Sequence, residues 1–180
     1  MKKALSILCA ILLASALAVT AFAETVPSPS VNVPEVIEIV ATDKDGNVVN
    51  IEINETTVSV VPFESKDQMS QETKAVLEEA YASLNEAASI EEVIPECAGK
   101  EVLDIVAVEV SAEISEHMEK GGTVAVTLDM KVELAVGTRI QLVRFVDGQW
   151  VLTEDYAEVL EDGTVVMHLS QPGCYALLVD

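Results

Sequence analysis

Asp-Gly occurs at 45–46, 147–148 and 162–163 and Gly-Gly at 121–122, and the segments around these dipeptides alternate apolar with polar side chains. Together these features constrain the fold more than any other. Asp-Gly supplies the positive φ that a tight hairpin turn requires, and a period of two puts one side of each arm in a core. "TVAVTLDM" sets Val124, Val126 and Leu128 on one side, and "TVVMHLS" does the same with Val165, Met167 and Leu169. In "RIQLVRFV", Ile140 and Leu142 are in phase and the alternation slips at Val143, which reads as a bulge. "VLDIVAVEVSA" and "CYALLV" are further arms, and "VIEIVAT", "VVNIEI" and "TTVSVVPF" supply three more near the start.

One segment breaks the pattern. In "SQETKAVLEEAYASLNEAAS", residues 70–89, Val76, Leu77, Ala80, Tyr81, Leu84 and Ala88 recur at threes and fours, the spacing of a helix with one apolar stripe. Ser70 is placed to cap it, and Glu72 favours its positive end. Ser89 and Glu92 spell a capping box for a second short turn that ends before Pro95. The expected class is α+β, mainly β: an antiparallel β-sandwich, Ig-like in character, with one amphipathic helix packed on it. Residues 36–62 are expected as strands, 70–95 as helical and 102–180 as β-rich, together forming one domain over 36–180.

What precedes that domain reads differently. Lys2 and Lys3, an apolar run from Ala4 to Val19, and Ala21-Phe22-Ala23 have the order of a secretory signal peptide, residues 1–23. Residues 24–35, "ETVPSPSVNVPE", form a Pro/Ser spacer. The expected location is secreted or extracellular, at the cell surface, with no integral membrane segment in the mature chain. The whole chain has a formal charge of −21, and removing two leader lysines leaves eight cations against 31 acids, or −23. So acidic a surface repels phosphate backbones and anionic lipid, which argues against nucleic acid as a partner.

An oxidising compartment permits a disulfide between Cys97 and Cys174, the two cysteines left after cleavage. It would stabilise by on the order of 4 kcal/mol through chain entropy. Two buried thiols are the alternative.

Chemistry-bearing patterns are weak. Asp43, Asp45 and Asn47 alternate like calcium-loop ligands, but glycine comes fourth, at Gly46, and the twelfth position is Asn54. An EF-hand loop needs glycine sixth and a bidentate glutamate twelfth, so the stretch reads as a hairpin turn. His117 falls in "SEHMEKGG", expected as a loop, and His168 points away from the Met167 side of its strand. Neither spacing argues for a metal pair. No G-x-S-x-G elbow, cysteine-protease signature or phosphate loop occurs, so no catalytic, cofactor-binding or metal residues are assigned. With 31 acids, carboxylate pairs at hydrolase-like separations arise by chance and carry no weight.

The stretches "VRFVDGQWVL" and "EDGTVVMHLSQPGCYALLVD" resemble the ends of uncharacterised small secreted or surface-attached proteins of Gram-positive bacteria that carry a C-terminal β-sandwich-like module. The resemblance implies an extracellular module and brings no catalytic residues. The anchored members end in a cell-wall sorting signal, and none follows Asp180 here. The functional expectation is an exported, non-catalytic binding or structural module whose partner is a protein or glycan at the cell surface. The alternatives are a carbohydrate-binding domain stacking sugars on an exposed aromatic such as Trp150, with calcium near Asp43 and Asp45, and a small hydrolase.

Overall fold

A computed structural model describes residues 34–49, 57–130 and 134–180. The leader, almost all of the spacer and residues 50–56, which include the last four of the "VVNIEI" arm, lie outside these residues. In chain order the elements are β1 (Glu35–Thr42), β2 (Val58–Pro62), a 3-10 turn (Phe63–Gln68), α1 (Gln71–Asn85), α2 (Ile90–Val93) and a short 3-10 turn (Pro95–Cys97). Then follow β3 (Glu101–Val110), α3 (Ala112–Glu119), β4 (Thr123–Asp129), β5 (Arg139–Val146), β6 (Gln149–Val159), β7 (Val165–Leu169) and β8 (Gly173–Val179).

The strands form one eight-stranded sheet, in the order β1-β4-β7-β6-β5-β8-β3-β2, antiparallel at every pairing. Its two outer strands, β1 and β2, approach each other, so the sheet curls into a nearly closed barrel. The class is mainly antiparallel β with helices, but the expected sandwich is corrected. A sandwich needs two sheets face to face, whereas here the strands are hydrogen-bonded into one continuous ladder that curls round until its edges nearly meet.

The interior is filled by alternate residues of all eight strands, among them Val60, Val106, Ile140, Ala157, Met167 and Leu177. α3 links β3 to β4 across one end, and its Ile114 and Met118 plug that end from below. A second core lies outside the wall. There Leu77, Ala80 and Leu84 of α1 and Ile90 of α2 cover Ile105 and Ala107 of β3, Val143 and Phe145 of β5, and Cys174, Ala176 and Leu178 of β8.

Local signals explain most boundaries. Ser70 caps α1, its Oγ accepting the Thr73 amide at 3.2 Å. Asp147 and Gly148 take φ of 50° and 79° at the β5–β6 turn, the paired positive values a two-residue hairpin demands. The expected Ser89–Glu92 box is not made: the Ser89 side chain makes no capping bond, and Glu92 reaches one residue further back to accept the Ala88 amide at 2.9 Å. The segment expected as a loop around His117 is instead α3. Ser111 caps it by accepting the Ile114 amide at 3.4 Å, and Ile114 and Met118, four apart, give it a buried face.

The phase slip at Val143 has a double origin. The β5–β6 register does shift between Gln141 and Val143, with the extra residues on β6, between Leu152 and Tyr156. Yet side chains along β5 keep alternating: Leu142 points into the barrel and Val143 into the helix-covered core. Adjacent apolar residues there report burial on both faces.

Candidate functional site

A groove of about 590 Å³ lies between the first half of α1, the end of β3 and the start of α3. That volume is within the range of ligand pockets. Each wall follows from local sequence. Thr73 and Val76 project from the first turns of α1, one of them beside its cap and the other off its buried stripe at 37 % exposure. Glu109, next to last on β3, points outward because Val108 points into the barrel. Ser111 and Ser115 close the far end from α3, and Phe145 and Gly173 supply an apolar side.

Glu109 is the electrostatic centre of the groove. Ser70 Oγ donates to Thr73 Oγ1 at 2.9 Å, and Thr73 Oγ1 donates to Glu109 Oε1 at 2.5 Å. Burial pushes Glu109 up, but hydrogen bonding from Thr73 first and from Ser70 second outweighs it and holds the carboxyl below its usual range. Glu109 therefore serves as a tertiary cap on the positive end of α1. Beside it, burial first and the Glu109 charge second push the Cys174 thiol up to about 11. Such a thiol stays protonated and is a poor nucleophile.

The residues singled out from sequence are dispersed. Asp43 Oδ1 accepts the amides of Asp45 and Asn47, each at 2.9 Å, and the Gly46 amide donates to Asp43 O at 2.9 Å with φ of 81° at Gly46. The stretch is thus a tight turn whose first carboxylate is occupied by its own backbone. The Asn47 side chain and amide hold Asp43 below its usual range. His117 Nε2 lies 2.8 Å from Thr42 O. A carbonyl cannot donate, so Nε2 carries the proton and its lone pair is unavailable to a metal. A Cβ on Gly122 would stand 2.2 Å from that ring nitrogen, which explains the second glycine of the pair. His168 stacks on Tyr156 with ring centres 4.6 Å apart, and Arg139 covers Tyr156 at the same distance. Among the described residues, no group of three or more His, Cys, Asp and Glu is placed to hold a metal.

Trp150 is 7 % exposed, donates from Nε1 to Ser83 Oγ at 2.8 Å and packs against Phe145. It is a core anchor under α1, buried too deeply to offer its ring face to a sugar. Cys97 and Cys174 are both buried in the helix-covered core and are free thiols in the structure. Glu101, four residues beyond Cys97, pairs with Val179, whereas Cys174 lies opposite Ala107, toward the other end of the same strand pair.

Two polar clusters had no recognisable signal in the sequence. Asp155, 7 % exposed, accepts the Ser170 amide and the Tyr175 hydroxyl, each at 2.9 Å, and that hydroxyl also lies 2.6 Å from Gln171 O. Burial and the neighbouring Asp155 charge push the Tyr175 phenol up. On β3, burial raises Asp104 to about 6 against the pull of the Ile105 amide, and the charge of Glu64 adds to the rise. Glu64 Oε2 is itself buried without a hydrogen-bond partner. A second recess, about 480 Å³, runs past Lys100, Arg139, Gln141 and Asp180, but its cations are matched internally, with Lys100 paired to Asp180.

Among the described residues no helix is long and apolar enough to cross a membrane. Compared with known proteins, the chain matches no family model, no curated protein and no solved structure.

Proposed function

We propose that this chain is an exported, non-catalytic binding module of a bacterial cell surface or its medium, and that its ligand seats in the groove between α1 and β3. The observation that carries the reading is the groove itself: about 590 Å³, with an apolar side, several hydroxyls and a fixed carboxylate. The leader-like start and the Pro/Ser spacer of the sequence support export. The character of the buried groups supports binding over turnover. Cys174 is a raised, protonated thiol, the proton of His117 is committed to Thr42 O, and Glu109 is committed to the end of α1.

The test is binding by the protein recovered from the medium after expression with its leader, applied to arrays of peptides and glycans. Val76→Trp fills the groove from a position that is already partly exposed. Binding should vanish in that variant while the circular dichroism spectrum is unchanged. Binding that survives Val76→Trp would place the ligand elsewhere.

A further inference from the structure

The groove has one sign of charge. The ionisable carboxylates lining it are Glu72 and Glu109, and no lysine, arginine or histidine is among the described lining residues. Glu109 is kept ionised by its helix-end donors, so its charge is fixed before any ligand arrives. These donors do not saturate it: a carboxylate offers about four lone-pair sites, and the Thr73 hydroxyl and the Ser70 amide take two at most, since the one Ser70 hydroxyl proton goes to Thr73 Oγ1. Val76 and Phe145 give a hydrocarbon wall next to the charge, and Ser111 and Ser115 add hydroxyls at the far end. A cation on an apolar stem satisfies all three features at once. Between lysine and arginine, the geometry favours the point charge. A guanidinium fork wants both oxygens of one carboxylate free, and Thr73 already occupies Glu109 Oε1.

Building on the groove as the binding site, we infer that it takes a lysine side chain of a partner peptide, with the ammonium against Glu109 and Glu72 and the methylene stem along Val76 and Phe145. The remaining volume takes the flanking peptide backbone, with Ser111 and Ser115 as its hydrogen-bonding partners.

The experiment is a titration of the full protein, followed by amide chemical shifts, with N-acetyl-lysine methylamide, its norleucine and arginine counterparts, and the peptides of the array. The lysine probe should move the amides of Thr73, Glu109 and Ser111, more weakly at high salt, and the norleucine probe should not. Glu109→Gln and Glu72→Gln should each weaken the lysine probe by about fivefold, in keeping with loss of one partly screened charge. Glu109→Gln also removes the cap on α1, so the exposed Glu72→Gln carries the test if that helix loosens. Equal binding of norleucine, or tighter binding of arginine, overturns the lysine assignment and leaves the groove standing. If no probe and no array peptide moves a groove amide, the groove reading falls as well.

Discussion

Strand β8 reads Cys-Tyr-Ala-Leu-Leu-Val from Cys174 to Val179, strand β4 reads Thr-Val-Ala-Val-Thr-Leu-Asp, and both line the same barrel interior. They differ in what lies behind them. Tyr175 and Leu177 of β8 face the interior while Cys174, Ala176 and Leu178 face α1 and α2, so five consecutive residues are buried. On β4 only Val124, Val126 and Leu128 are buried, and Thr123, Ala125 and Thr127 remain partly open. One sheet therefore has a two-sided half, β3, β5 and β8, and a one-sided half that includes β4 and β7. Hydrophobic alternation follows the number of covered faces, not the strand itself. The binding groove sits at the boundary, where the helical cover stops short of the end of β3.

The comparison can be broken most forcefully by truncation on the outer face of each half. Leu178→Ala should cost about 2–5 kcal/mol, because the helix-covered core around it collapses only in part. Thr127→Ala, facing outward from β4, should stay within about 0.5 kcal/mol. Denaturant midpoints of the two variants give the contrast directly, and equal losses would mean that the helical layer adds nothing to the wall.

Asp104 sharpens the comparison through pH. It sits on β3, in the covered half, and its folded value of about 6 lies above the ordinary aspartate value of 3.8. The folded state therefore binds the proton more tightly, and stability falls as pH rises from about 4 to 6 and stays lower above that window. Asp104→Asn should leave stability unchanged below pH 4 and raise it above pH 6 by about 1–3 kcal/mol, at about 1.4 kcal/mol per pKa unit. Thermal melts at pH 4 and pH 7.5 check both limits. A destabilised Asp104→Asn at pH 7.5 would show that the ionised carboxylate is needed there.

At the seam of the two halves, Asp155 of β6 accepts from Tyr175 of β8. Tyr175→Phe keeps the ring and leaves one Asp155 oxygen short of a donor, an expected loss of about 1–3 kcal/mol. The smallest effect is chemical. Both cysteines should be unreactive toward a thiol reagent in the folded protein, and denaturation without reductant should release two thiols. Release of none would establish the bridge and lead to a different account of the Cys97 segment.

Much of the strand list was legible because its signals are local. Val124, Val126 and Leu128 declare their common side within seven residues, Asp147-Gly148 declares its turn in two, and Ser70 with the Leu77–Ala80–Leu84 stripe declares α1. α3 was harder to read, since eight residues with two buried positions give too little periodicity to separate helix from polar loop. Trp150, two positions after a turn, could be read as packed or as partly exposed, and only Ser83 and Phe145 lying against it decide for packing. The groove left no local signal at all. Thr73, Glu109, Ser115 and Gly173 are far apart in the chain and meet only after β3 pairs with β8 and α1 docks on both.

The sequence by itself determined where the chain turns, most of its strands, the cap and stripe of its main helix, and its strongly acidic character. Whether the ladder would split into two sheets or close on itself, which half would receive the helices, and which carboxylates would be desolvated were decided only by the tertiary structure. The physical reason is range. Turn conformation and alternation are fixed by neighbours a few residues away, whereas sheet closure and the burial of Glu109, Asp104 and Asp155 depend on partners brought together from distant parts of the chain.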